Sequence, residues 1–309
     1  MAPKSQKPLY VLALDGGGAK GFYTLGVLRH VEAMIGMPIH QKFGLMYGTS
    51  TGSIITSLLA LGYSVDEVHT LYKDNVPKVM RRWTRRGRSK AVRKLAVKLF
   101  EDKKFDAFKT DVGIVATKWD LSLPMIFKTN INQAFGRRET FKPGFDCTIA
   151  DAVQASCAAY PYFNRHTVKL HDGTSIELGD GGFCANNPAL YAIGDATVAM
   201  GIDHQDVRLL SIGVGIYPMP PMGILKRAYY DFKYTQALIK FMEGNTNSME
   251  HLRGLLFRGL QAIRIDDTFS HPELAMDFME GDVKKLAKIF QRGGDSYAKV
   301  EQNLRSLLK

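Results

Sequence analysis

Two short apolar runs, Leu9–Leu14 and Phe43–Tyr47, each break into a glycine-rich turn that opens at once into an apolar helix. The first turn reads Asp15-Gly16-Gly17-Gly18-Ala19-Lys20-Gly21 and the second Gly48-Thr49-Ser50-Thr51-Gly52. After the first, Phe22, Leu25, Val27, Leu28 and Val31 recur at helical spacing, which predicts a helix to about Ile35; the second predicts one to Leu61. A strand that feeds a helix and then another strand is the building unit of a parallel sheet. Ser64-Val-Asp-Glu67 is a capping box for a third helix. Strand-like stretches follow at Val112–Thr117, Pro124–Lys128, Thr167–Leu170, Ser175–Leu178 and Arg208–Val214, with one more near Ala262–Ile265. Helices are expected from Thr148 through Ala159, from Pro188, and over most of the chain beyond Met222. The expected fold is α/β: a single three-layer αβα domain with a central, mostly parallel sheet and a basic amphipathic helical insertion.

At 309 residues and 45% hydrophobic the chain can bury a substantial core, and this composition excludes a disordered or fibrous protein. Its three cysteines have neither the number for a disulfide framework nor the paired spacing of a zinc site, which suggests a reducing compartment. No run reaches the ~18 apolar residues of a spanning helix. Lys4 and Lys7 precede an apolar run that Asp15 cuts short, so a secretory signal is not expected. Together these predict a cytoplasmic protein.

The net charge of +11 is unevenly placed. Twelve basic residues and two acids lie between Lys78 and Lys104, leaving 29 basic and 28 acidic residues elsewhere. A neutral protein with one cationic segment points to a local anionic partner. Val76, Val79, Met80 and Trp83, then Val92, Leu95, Ala96, Leu99 and Phe100, fall at helical spacing among these cations. An apolar stripe with a cationic face suits an anionic bilayer, with Arg81, Arg82, Trp83, Arg85 and Arg86 as candidate contacts. The competing reading is that the stripe packs inward and the charges are merely solvated. Nucleic acid is not expected, because no base-reading motif accompanies the charge.

Three glycine-rich turns carry the chemistry. Consecutive glycines at Gly16–Gly18 let backbone amides approach an anion at a helix N-terminus, whether a phosphate or a transient oxyanion. Gly16, Gly18 and Gly21 also satisfy a dinucleotide fingerprint, but the second strand ends in Gly48-Thr49-Ser50, with no carboxylate for a ribose. Gly48–Gly52 fits the G-x-S-x-G nucleophile elbow, placed where a sharp strand-to-helix turn exposes the serine hydroxyl. Asp180-Gly181-Gly182, 130 residues after Ser50, presents a carboxylate in a tight loop. A serine needs a base to take its proton, and that carboxylate is a candidate.

The three turns in this order resemble the patatin-like phospholipase family, with the likeness running from about Leu9 to Pro188 and including Asn186-Asn187-Pro188. The resemblance implies a hydrolase domain over residues 8–309, with the basic insertion at 76–104 and a mostly helical part at 222–309. It implies a Ser–Asp dyad of Ser50 as nucleophile and Asp180 as base, with no catalytic histidine, metal or cofactor. The amides of Gly16, Gly17 and Gly18 would form the oxyanion hole. Lys20 stands where the family commonly has arginine; it keeps the charge but loses the bidentate fork, and is a candidate for holding the loop or a substrate phosphate. The implied activity is release of fatty acids from membrane phospholipids by a peripherally bound enzyme. Some bacterial members of the family are effectors switched on by cyclic nucleotides in antiviral operons, and the compact size is similar to theirs. A small-molecule activator such as a cyclic nucleotide is therefore a candidate partner, as is a second copy of the chain; the helical region Met222–Phe257 suits oligomerisation, regulation or plain core packing equally.

Three rivals stand beside this reading. A Ser-His-Asp esterase would draw its histidine from His204, His251 or His271. An actin-like sugar or small-molecule kinase would use both glycine loops for ATP phosphates, with its first loop joining two strands of a hairpin. An idle lipid-binding module would use only the basic segment.

Overall fold

A computed structural model describes residues 7–136, 138–220 and 232–309, and the stretch 222–231 of the expected helical region lies outside them. The two turns fall where the apolar periodicity places them. Strand β1 (Leu9–Leu14) leads through the first turn into α1 (Gly21–Ile35), which ends on Gly36 in the left-handed region. After the short helix α2 (Ile39–Lys42), β2 (Leu45–Thr49) leads through Ser50 alone into α3 (Thr51–Leu61). The strand thus includes Thr49, two residues beyond the expected end.

Helix α4 (Val65–Met80) starts on the expected capping box, with the Ser64 hydroxyl accepting from the Glu67 N–H and the Glu67 carboxylate accepting from the Ser64 N–H. Helix α5 (Arg85–Phe100) follows after a four-residue turn, so the basic segment is the end of one helix and the whole of the next. Next come β3 (Asp111–Lys118), β4 (Leu123–Lys128), α6 (Ile149–Ser156), β5 (His166–Lys169) and β6 (Ser175–Asp180). Thr148 caps α6 as its sequence predicts, yet the helix stops three residues short of Ala159. The remaining elements are α7 (Gly182–Ala185), α8 (Ala189–Gly194), β7 (Val207–Ile212), α9 (Phe232–Leu256), β8 (Gln261–Ile265) and α10 (Val283–Leu307).

Strands β8, β7, β1, β2 and β3 run parallel and side by side. Because successive side chains point to opposite faces, Leu12 and Leu14 enter the larger core under α1, α3 and α10. Val11 and Ala13 enter the smaller one, against Ala189, Ala192 and Ile193 of α8. Helices therefore cover both faces, which gives the three layers the sequence predicts.

The register of β3 explains how distant residues meet. Antiparallel β4 covers one edge of β3 from Gly113 to Lys118. The other edge is shared: β2 pairs with Asp111–Val115, and antiparallel β6 takes over at Ala116–Lys118. Thr49 sits opposite Val115 and Asp180 opposite Ala116, so two strands end head to head on adjacent rungs. Residues separated by 130 positions are brought together by strand register alone.

Candidate active site

Ser50 is the single residue between β2 and α3, and its backbone (φ 52, ψ −121) is in a region that non-glycine residues seldom occupy. Small neighbours make the turn possible. A Cβ at Gly48 would strike the Gly52 backbone, and one at Gly52 would strike the Leu14 carbonyl. Ser50 caps α3 without using its side chain, so the hydroxyl is not spent on the helix and lies at its positive end. Its N–H donates to Ser156 Oγ at 2.9 Å, and that hydroxyl donates to the Val115 carbonyl at 2.6 Å. Ser156, at the end of α6, therefore ties the elbow to β3 just where β2 gives way to β6. No feature of the sequence marks it for this role.

Asp180 is fully buried. Its N–H donates to Ala158 O, and its Oδ1 accepts from Gly182 N–H at 2.7 Å. Oδ2 is buried and accepts no hydrogen bond. Burial pushes the carboxyl up to about 7, against the opposing pull of the Ser50 hydroxyl and the Gly182 N–H. A buried, singly satisfied carboxylate facing a serine hydroxyl is arranged to take a proton. Cys157 lies in the same cavity, but burial pushes its thiol up, so it is a neutral bystander and not a competing nucleophile.

The glycine loop divides its labour. The Gly16 N–H donates to the Asn186 carbonyl at 3.1 Å, so this amide, expected from the sequence to face an oxyanion, is already engaged. Gly17 and Gly18 donate no backbone hydrogen bond among the described residues, and Gly18 lines the cavity that holds Ser50. Gly18 sits at φ +59, which glycine alone adopts freely. Asp15, which opens the loop, is clamped by both guanidinium nitrogens of Arg264 at 2.8 and 2.6 Å, and Arg264 also holds Asp266. Arg264 was not expected. A cation within the short strand-like run Ala262–Ile265 was the signal available.

Lys20 is buried but does not reach the Ser50 cavity. It lines a separate cavity of mixed polar and apolar lining behind the loop, with Asp266, Glu243 and Asn186, and its amine lies 5.8 Å from the centre of the Tyr217 ring. Burial lowers its pKa. Phe278 stands between the two cavities, and its carbonyl accepts the Ala19 N–H.

The apolar stripe of the basic segment turns inward. Val76, Val79 and Met80 of α4, with Val92, Leu95, Ala96, Leu99 and Phe100 of α5, form the wall of the Ser50 cavity. This is the packing alternative read from the sequence, with a particular destination. Arg88, counted there among surface cations, is buried and donates to the carbonyls of Arg82, Trp83 and Tyr162. Arg81 is tied to the Gly281 carbonyl. Arg82, Trp83, Arg85 and Arg86 remain exposed.

Neither rival chemistry fits this arrangement. None of the eight histidines lines either cavity; His204, for instance, pairs with Asp203 on the surface. The first glycine loop opens α1 and joins parallel strands, whereas the kinase reading needs a hairpin there.

The family model described as patatin-like phospholipase matches residues 12–193. An Escherichia coli protein named cUMP-AMP-activated phospholipase is 52% identical over 298 residues, which cover 96% of this chain and 93% of that one. A Vibrio cholerae protein named cGAMP-activated phospholipase is 29% identical over 252 residues, covering 71% of this chain and 68% of that one. Among solved structures, VipD from Legionella pneumophila superposes with a TM-score of 0.51 at 12% identity, across 98% of this chain and 67% of that one. At that identity the likeness concerns the fold alone.

Proposed function

This chain belongs to the patatin-like phospholipase family and is a lipid acyl hydrolase, and from that premise we propose that Ser50 and Asp180 form its catalytic dyad. The observation that carries the reading is the meeting of two strand ends on one edge of β3. It leaves a serine hydroxyl on a strained elbow beside a buried carboxylate with a free oxygen. Ser50 Oγ attacks the ester carbonyl of a phospholipid while Asp180 Oδ2 takes its proton. The N–H groups of Gly17 and Gly18 receive the tetrahedral oxyanion, helped by the α3 N-terminus. Asp180 returns the proton to the departing lyso-lipid oxygen, then deprotonates the water that cleaves the acyl-enzyme and releases a fatty acid. The acyl chain lies along the wall made by α4 and α5, whose lining is almost wholly apolar.

No helix among the described residues is long and apolar enough to cross a membrane. The exposed cations at Arg82, Arg85 and Arg86 support attraction to an anionic bilayer. The names of the two curated relatives support activation by a cyclic dinucleotide, and with it the antiviral effector role. Exposed Leu252, Leu255 and Leu256 on α9 support self-association in the active state.

The test is fatty-acid release from mixed phospholipid vesicles, with and without cyclic UMP-AMP, by the wild type, Ser50→Ala and Asp180→Ala. Both substitutions are expected to abolish release. Ser50→Ala should also abolish labelling by a fluorophosphonate. Release that survives either change overturns the dyad.

A further inference from the structure

Beyond the dyad, the chain carries a rim of aromatic, apolar and cationic side chains that the chemistry does not use. Strand β3 ends at Lys118, and the turn to β4 leaves Leu121 64% and Leu123 53% exposed. Trp119, at the base of that turn, meets the edge of Tyr160 at 5.8 Å and of Phe183 at 5.4 Å between ring centres. Two guanidinium groups lie over this cluster: Arg165 at 5.0 Å from the Trp119 ring, and Arg85 at 5.1 Å from the Tyr160 ring. The rim continues through Arg85 to the turn that bears Trp83, which buried Arg88 fastens to the Tyr162 carbonyl.

This rim hangs on the same backbone that holds Asp180. Tyr160 lies two residues from Ala158, whose carbonyl accepts the Asp180 N–H, and Phe183 follows Gly182, whose N–H donates to Asp180. It therefore surrounds the catalytic end of the sheet. Single exposed leucines need no explanation, but two of them contiguous with amphipathic rings and arginines do. Tryptophan and tyrosine settle at the boundary between hydrocarbon and headgroups, while arginine pairs with lipid phosphate.

We propose that the Leu121–Leu123 turn, with the Trp119–Tyr160–Phe183 cluster, enters the outer layer of an anionic phospholipid bilayer, while Arg85 binds a headgroup phosphate and Arg165, paired with Glu177 at 2.9 Å, braces the Trp119 ring. This turns the strand end that carries Asp180 toward the lipid. It deepens the phospholipase reading and rests on it, but it assigns docking to a surface other than the apolar stripe of α5, which is spent on the cavity wall. An aromatic cluster beside arginine also suits a nucleobase, but Trp119 and Tyr160 line neither cavity beside the glycine loop, and the exposed leucines would gain nothing from a nucleotide.

The chain has two tryptophans, so Trp83→Phe leaves Trp119 as the sole reporter. In the inactive Ser50→Ala background, this protein should float with vesicles of equal phosphatidylglycerol and phosphatidylcholine, shift its emission to the blue and be quenched by brominated lipid. Leu121→Glu with Leu123→Glu, checked for an unchanged melting temperature, should weaken flotation by ~10-fold or more. Vesicles of phosphatidylcholine alone should bind comparably weakly. Failure of the parent to float, flotation undiminished by the two glutamates, or a Trp119 response to cyclic dinucleotide but not to vesicles would each overturn the proposal. Binding by the Ser50→Ala protein does not depend on chemistry. Hydrolysis of a monodisperse short-chain ester by the Ser50 enzyme tests the catalytic reading separately, and the glutamate variant should retain it.

Discussion

A carboxyl group with no exposed surface and a pKa pushed up to about 7 opposes folding whenever it is ionised. For Asp180 that opposition and its proposed use as a base have the same origin, and both can be read by pH. As the base, it must be deprotonated, so kcat/KM on a soluble ester should rise about tenfold per pH unit below about 7 and level off above. Stability runs the other way. The native state holds this proton more tightly than the unfolded chain, whose carboxyl titrates near its ordinary 3.8. Stability that is present below that value is therefore lost as pH rises toward about 7. Asp180→Asn removes the ionisable group while keeping an oxygen for the Gly182 N–H. Its melting temperature should exceed that of the wild type by more at about pH 8 than at about pH 5. An equal difference at both would mean that Asp180 is not the titrating group. Ser50 and Asp180 were legible in the sequence because each sits in a glycine pattern that its own backbone demands. Ser156 and Arg264 were not, since their work is done across the fold, on Val115 and Asp15, and local pattern carries no trace of such partners.

Helices α4 and α5 show what periodicity can and cannot convey. Spacing marked the stripe from Val76 to Phe100 as one apolar face but left open whether lipid or protein would meet it. The fold answers by pairing the two stripes with each other, over Ser50 and beside Val153 and Phe163. An amphipathic helix always has this ambiguity, because burial of its stripe stabilises it equally in either setting. The wall gives a prediction about substrate. Leu95→Trp adds bulk to the middle of the α5 stripe, where it should shorten the space for an acyl chain. Release of long-chain fatty acid should fall by ~10-fold while hydrolysis of a short-chain ester changes little, at a stability cost of about 1–3 kcal/mol from overpacking. Chain-length preference measured on a ladder of esters is the readout, and an unchanged profile would move the acyl site elsewhere.

At the scale of the whole molecule, the dimensions of the site matter as much as its chemistry. The Ser50 cavity measures about 60 Å³, and the mixed cavity behind the glycine loop about 50 Å³. Each has room for a few waters and neither for a fatty acyl chain. An acyl chain lying wholly within the Ser50 cavity would need the elements over Ser50 to separate, and Phe278 is the side chain that both cavities share. It is held by its carbonyl to the Ala19 N–H and stacks on Tyr162 at 5.1 Å. Its ring packs close enough to Gly18 that even a Cβ there would meet it. An activator shifts such an equilibrium only by binding the open state more tightly, and the Phe278 contact is the candidate for what that binding displaces. Phe278→Ala should therefore join the two cavities, raise hydrolysis of a short-chain ester without activator by ~10-fold, and reduce the further gain from cyclic UMP-AMP. Lost packing should cost about 3 kcal/mol of stability. A variant that folds, keeps its low basal rate and still responds fully to the activator would show that the gate lies elsewhere, with the contacts of α9 through Ile239 and Met242 the next to examine.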